Sequence, residues 1–355
     1  MFGISRESLF RRFNQSKSNT LGENDGWIKR EETIMGTAIS VELWCQNPKA
    51  AEEAINAVMD EMHRIDRLMS PHKADSELSR INRDAAKGPV RISIEMFALL
   101  TRAAHFSQLS EGAFDITYAA VGRLFDYRNG IRPSSDAITK ALSSVGHDFV
   151  VLDAKAQTVQ FSRPGVCIDL GGFAKGHAVD NASALLRQHG IMHANVSAGG
   201  DSRVIGDRKG RPWMIGVRDP RSENGVVAVL PLEDTSISTS GDYERFFMEG
   251  DTRFHHLIDP TTGKSPDKIR SVTILAEDGL TTEALSKSVF VLGTKRGMEL
   301  IESQAGVDAI IIDAEGALHY SSGLLDPDTQ SSNETHKSSC LSVATSQVIQ
   351  PLRSL

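Results

Sequence analysis

The stretch CIDLGGFAKGHAVD, residues 167–180, decides how this chain is read. Apolar residues run to Asp169 as a buried strand, and the adjacent Gly171 and Gly172 make a turn. Ala174, Lys175 and Gly176 then open a helix that should continue to about His189, where Gly190 stands in the position of a C-cap. Glycines let backbone N–H groups approach a phosphate closely, and a helix N-terminus favours negative charge. Lys175 adds a full positive charge at the same end. A plain strand-to-helix turn, needing glycine only for its φ, would use the same residues.

Outward from this segment, IMHANVS reads as a strand and AGGD as a tight loop, so SAGGD (197–201) is a second glycine cluster behind a strand. STSGDYERFF (238–247) is a third, with hydroxyls from Ser238, Thr239 and Ser240 beside Gly241. Three polar glycine turns after apolar strands predict loops gathered at one edge of a sheet. Upstream, Ile39, Val41 and Leu43 alternate with polar residues, the period of a half-buried strand. Ile55, Val58, Met59, Met62, Ile65 and Met69 recur at helical spacing, and Leu78 and Ile81 sit in a short polar turn or helix. WMIGV, SVTIL and DAIIID read as later strands, with a helix from about Thr282 to Leu292 between the last two. The alternation is too irregular for a doubly wound sheet, and an α+β architecture is expected.

Composition narrows the function. Of 355 residues, 40% are hydrophobic and 24% charged, which excludes disorder as the main state. With 46 acidic against 39 basic residues the net charge is -7, so no positive field exists to attract nucleic acid. The 3 cysteines are far apart and lack metal-ligand spacing. No stretch approaches the roughly 18–20 apolar residues that would insert into a membrane. Residues 1–26 read as a polar tail, 27–328 as one folded domain, and 329–355 as a Ser-rich disordered tail. Arg11 and Arg12 are followed by no apolar segment, and no lipid-acceptor Cys lies nearby. As it stands the sequence therefore reads as cytoplasmic.

HHLIDPTTGKSP (255–266) sets two histidines before an apolar pair and an Asp-Pro turn. Strand alternation should turn one imidazole inward, where it could serve as a general base, and the other outward. Asp259 begins the turn and is expected to cap it. Glu283 and Lys287 share a helix face in the favourable order for a surface pair, contributing about 0.2–0.5 kcal/mol.

Taken together over residues 33–325, these segments resemble the ApbE family of FAD:protein FMN transferases. The resemblance is carried by MGT (35–37), SELSRIN (76–82), GAFDIT (112–117), IDLGGFAKGHAVD (168–180), NVSAGGD (195–201), PWMIGVRDPR (212–221), TSGDYERFF (239–247), HHLIDPTTG (255–263) and FVLG (290–293). It implies an α+β, T-fold-related catalytic domain with two sub-regions flanking FAD. The implied reaction splits FAD, releases AMP and joins FMN by a phosphoester to a Thr or Ser of an acceptor flavoprotein. Some members instead hydrolyse FAD to FMN and AMP, and a non-catalytic FAD-binding protein is a further alternative. By the same resemblance His256 would take the proton of the acceptor hydroxyl. Asp169 and Lys175 would contact FAD, with Ala113, Phe114 and Asp115 lining its site, Met35 and Leu257 packing on it, and Thr239, Ser240 and Gly241 near its phosphates. Gly172 would offer its carbonyl to Mg²⁺.

The chain departs from that pattern at three positions, two in one helix and one elsewhere. The family helix commonly carries an Asp and, four residues later, a Thr that bind Mg²⁺; here those places hold Glu283 and Lys287. An ammonium has no lone pair for a cation and repels one at close range. Either Lys287 takes the metal's place beside Glu283, or it turns outward and leaves the ion to Glu283, Gly172 and Asp278 or Thr281. The third departure is His72, where the family often has a larger aromatic ring to stack on the cofactor.

Overall fold

Strand alternation builds the centre of the molecule. Ile39, Val41 and Leu43 are all fully buried on one face of β2 (Thr37–Trp44), which pairs along its whole length with β1 (Trp27–Ile34). The two strands meet in a tight turn at Met35 and Gly36, whose φ values of 54° and 70° suit a two-residue hairpin. The computed structural model describes residues 26–222 and 225–325, so the expected tails at 1–26 and 329–355 fall, apart from Gly26 in the first, outside the described residues.

Six further strands complete an eight-stranded sheet: β6 (Ala194–Ala198), β7 (Asp201–Ile205), β10 (Ser236–Gly241), β13 (Ile269–Ala276), β14 (Asp308–Asp313) and β15 (Leu318–Tyr320), in the order β1-β2-β6-β7-β10-β13-β14-β15. Every neighbour pair is antiparallel, as an α+β architecture requires. The remaining strands form a small sheet, β3 (Val90–Arg91), β5 (Thr158–Phe161) and β4 (Val150–Asp153), and two hairpins, β8 (Trp213–Arg218) with β9 (Val226–Leu232) and β11 (Phe246–Glu249) with β12 (Thr252–His255).

Among the described residues the helices are α1 (Pro48–Met69), α2 (Glu77–Asp84), α3 (Ile94–Leu109), α4 (Ala119–Gly122), α5 (Ser135–Leu142), α6 (Ala174–Gln188), α7 (Gly279–Leu292) and α8 (Thr294–Glu302). The helical stripe expected from Ile55 to Met69 is the buried face of α1, and Asn47 caps that helix by accepting from Lys49 N at 3.0 Å. Helices α1, α6 and α7 contribute to one large core with the sheet. On the opposite face, Val204, Ile237 and Leu275 pack with Trp213 and Leu232 of the β8–β9 hairpin as a second, smaller core.

Two expectations are corrected. Residues 166–170 are extended but join no sheet. Asn82 supplies the missing ladder instead: its side-chain amide donates to Ile168 O and accepts from Ile168 N, both at 2.8 Å. The alternate burial of Val166, Ile168 and Leu170 imitates a strand, although its backbone reaches another segment only where Asp169 N donates to Ile116 O at 3.0 Å. The glycine cluster at 238–241 is not a loop but the inner strand β10, flanked by β7 and β13. Its serines face the packed helix α7, so their polarity marks a site rather than a turn.

Helix α6 meets α7 backbone to backbone. A Cβ at Gly176 would stand 2.2 Å from the carbonyl oxygen of Gly279, and one at Gly279 would stand 2.6 Å from that of Gly176. Asp180, one turn further along α6, accepts from Gly279 N at 2.8 Å and Leu280 N at 3.2 Å. Asp278 caps the same helix start by accepting from Thr281 N at 2.8 Å. Because no side chain separates the helices here, Gly176→Ala must force them apart. Urea unfolding should show a loss of about 1–3 kcal/mol, the usual range for overpacking. A variant as stable as the parent would contradict this contact.

Candidate active site

The crossing of α6 and α7 brings the first turn of one helix against the second turn of the other. Glu283 is fully buried there, with 0% exposure. Its Oε2 accepts from Gly176 N at 2.7 Å, and its Oε1 is shared by the ammonium groups of Lys175 and Lys287, the latter at 3.3 Å. The Glu283–Lys287 pair read from helical spacing thus forms, but inside the protein rather than on its surface. Lys287 has turned inward, and its stem lies over the Gly171–Gly172 turn: a Cβ at Gly172 would be 3.4 Å from Lys287 Cε.

Lys175 spends every donor it has. Its Nζ reaches Gly171 O at 3.0 Å, Asp201 Oδ2 at 3.1 Å and Glu283 Oε1. Asp201, buried at the end of the β6–β7 turn, also accepts from Ser238 Oγ at 2.5 Å. Ser286 Oγ bridges Ser238 Oγ at 3.2 Å and Ser240 Oγ at 2.9 Å, tying β10 to α7. Thr239 is excluded by strand alternation: it pairs with Thr273 Oγ1 at 2.9 Å on the opposite face. The Thr239 side chain thus points away from the face that carries Ser238, Ser240 and Ser286.

Two cations and two carboxylates share this interior. Burial alone would lower the Lys175 pKa, but the Asp201 and Glu283 carboxylates outweigh it and the ammonium is held well above its ordinary value. For Lys287, burial prevails: its pKa falls, with only partial compensation from Glu283 and Asp201 and a further push from Lys175. The two lysines shift oppositely because Lys175 is bonded to both carboxylates while Lys287 has one longer contact. Asp201, despite burial, is held low by Lys175, Lys287 and Ser238.

His255 ends β12 and is buried, while His256 follows the strand and is also partly enclosed, so the outward imidazole expected from alternation is not found. His255 is buried edge-on against Phe290, with ring centroids 5.4 Å apart, and its Nε2 lies 2.7 Å from Pro266 O. His256 is half-buried, and its Nδ1 has no hydrogen-bond partner. Burial, then the neighbouring His255, Arg245, Lys287 and Lys175, lower its pKa to about 3. The imidazole is neutral at physiological pH and feels the positive charge of three cationic side chains. Asp259 caps the following turn as expected, accepting from Thr261 N at 2.8 Å.

The other candidates fall around this centre with different duties. Asp169 accepts from Gly171 N and so shapes the glycine turn, while its charge, followed by burial, raises the Tyr118 phenol. Asp115 accepts from Thr117 N at 2.8 Å and Thr117 Oγ1 at 2.6 Å, a capping role, and burial raises its carboxyl. Phe114 packs against Phe106 and Phe173, Ala113 is buried, and Leu257 belongs to the main core. Met35 lies in the β1–β2 turn, where Arg245 also reaches: its Nη2 would be 3.8 Å from a Cβ at Gly36. His72 is exposed beyond the end of α1.

Asp201, Ser286 and Arg245 were not singled out from sequence. Asp201 closes SAGGD and reads as turn punctuation, and Ser286 reads as helix filler. Its signal was the helix face it shares, three residues on, with Glu283.

Gly172, Glu283 and Lys287 do not fit Mg²⁺. Both Glu283 oxygens are committed, one of them to two ammonium groups, and the Lys287 stem covers Gly172. Asp278 and Thr281 offer no substitute: Thr281 Oγ1 donates to Asp278 Oδ2 at 2.7 Å, and Arg102 donates to Thr281 Oγ1 at 3.1 Å. No group of three or more His, Cys, Asp or Glu side chains able to hold a metal occurs among the described residues.

Residues 35–311 match the model of the ApbE family. An FAD:protein FMN transferase of Treponema pallidum is 32% identical over 84% of this chain and 87% of its own length. One from Vibrio cholerae is 29% identical, over 82% and 90%. An ApbE protein of Thermotoga maritima superposes with a TM-score of 0.78 at 34% identity, covering 84% of this chain and 97% of that one.

The charge cluster makes two stability predictions. Glu283→Ala leaves two buried ammonium groups facing Asp201 alone and should cost about 3–5 kcal/mol in denaturant unfolding. His256 and His255 have lower pKa values folded than unfolded, so the unfolded chain takes up their protons first as pH falls. Stability should therefore drop from about pH 6.5 downward, by at most about 1.4 kcal/mol per pH unit for each proton. His256→Asn should flatten that slope; an unchanged slope would refute its depressed pKa.

Proposed function

The chain belongs to the ApbE family, and from that premise we infer that it is an FAD:protein FMN transferase. The observation that carries the reading is the neutral His256 imidazole, unpartnered at its buried Nδ1 and under the positive charges of Arg245, Lys287 and Lys175. Phosphoryl transfer needs an aligned nucleophile and neutralised phosphate charge, and little else. The hydroxyl oxygen of an acceptor Thr or Ser attacks the phosphorus on the flavin side of FAD. His256 takes the hydroxyl proton, the bond from that phosphorus to the bridging oxygen breaks, and AMP leaves with the electron pair.

The other residues hold this geometry. Asp169 fixes the Gly171–Gly172 turn, and Asp201 with Ser238, Ser240 and Ser286 pins β10 to α7. Lys175 serves chiefly as the internal counter-ion of Asp201 and Glu283. Residues 27–328 act as one catalytic domain in this proposal, with Met35 and Arg245 at the mouth. No step is routed through a metal. Among the described residues no helix is long and apolar enough to cross a membrane. The related proteins are named as transferases, which favours a protein hydroxyl over water as the acceptor.

Incubation with FAD and a flavoprotein carrying an accessible Thr or Ser should release AMP in step with acid-stable flavin on the acceptor. His256→Ala should slow both by roughly 10²–10⁴-fold, the range of general-base catalysis, with FAD binding retained. AMP without covalent flavin would assign a hydrolase instead, and neither product would overturn the reading.

A further inference from the structure

We propose that Lys287 is a built-in substitute for a divalent cation, contacting the FAD diphosphate directly, so that this chain binds FAD without Mg²⁺. The proposal rests on the transferase reading and adds how the phosphate charge is met.

Three observations carry it. The first is donor accounting. An ammonium has three N–H donors. Lys175 has three acceptors, Gly171 O, Asp201 Oδ2 and Glu283 Oε1, and has nothing left for a ligand. Lys287 has one, Glu283 Oε1 at 3.3 Å, which leaves two N–H groups. The lysine marked by the glycine-turn motif is thus internally consumed, and the one on α7 is available.

The second is placement. Lys287 lies across Gly172, whose lack of a side chain lets the lysine stem cross the glycine turn. Its Nζ reaches Glu283 Oε1 at 3.3 Å while its stem crosses that turn, so it spans the positions that the family resemblance assigns to a metal. The third is charge. Lys175 and Lys287 balance Asp201 and Glu283, so the buried quartet is neutral when fully ionised. A side chain such as Thr at 287 would leave one net negative charge, a cavity that invites a cation. With lysine present, a dication entering beside two ammonium groups would be repelled at close range. An anion can instead accept from the two unused N–H groups as charge-assisted hydrogen bonds.

The test compares FAD binding by calorimetry for the parent chain, Lys287→Thr and Lys287→Arg, each in EDTA and in MgCl₂. The parent should give the same Kd in both. Lys287→Thr should bind roughly 10- to 100-fold more weakly in EDTA, the worth of hydrogen bonds to a charged group, and recover in MgCl₂. Lys287→Arg, which keeps the charge, should remain indifferent to the metal. Without FAD, MgCl₂ should raise the Tm of Lys287→Thr and leave that of the parent unmoved, which also shows that the variant is folded. A parent chain that binds FAD only with Mg²⁺, or a Lys287→Thr variant that binds like the parent in EDTA, overturns the substitution while leaving the transferase reading intact. A parent chain that takes up no FAD under either condition overturns both.

Discussion

A single carboxylate with no solvent exposure, that of Glu283, organises the centre of this protein. Burying an ionised group is tolerable only when each lone pair finds a donor and the charge is met. Here the backbone of Gly176 and the ammonium groups of Lys175 and Lys287 do both. These partners come from both helices of the crossing, so satisfying one side chain aligns two elements. Asp201 repeats the arrangement from the sheet side, through Lys175 and Ser238. The site is therefore part of what holds the helices to the sheet, and its geometry is inherited from the fold.

Much of this architecture is legible in local pattern. The alternation of Ile39, Val41 and Leu43 and the stripe from Ile55 to Met69 each specify which face is buried, because burial follows the periodicity of a strand or a helix. The readings that failed did so where a side chain or a long-range partner took over a backbone role. The segment ending at Asp169 has strand-like alternation, but Asn82 completes its hydrogen bonding from 86 positions away in the chain. The serines of β10 resemble turn residues, and only the helix packed over them makes an inner polar strand acceptable.

The candidate site was partly visible for a related reason. Glycine clusters and the double histidine announce themselves in sequence because their residue types are unusual in the positions they hold. Asp201 and Ser286 do not, since an Asp after two glycines and a Ser inside a helix are ordinary. Their importance comes from long-range partners: Asp201 with Lys175 and Ser238, and Ser286 with Ser238 and Ser240. The same limit applies to the two lysines: sequence places both near the ligand, but only coordinates reveal that Lys175 is fully occupied by protein acceptors.

The contact between Gly176 and Gly279 has a consequence for how such a site can vary. Two helices that touch through their main chains have no intervening side chain to trim or enlarge, so their separation is not an adjustable parameter. What remains open to change is the electrical content of the space they enclose. Exchanging one inward-facing residue, as at position 287, alters which ion the enclosure tolerates while leaving its dimensions alone. A scaffold of this kind can trade a soluble cofactor for a genetically encoded charge without being redrawn.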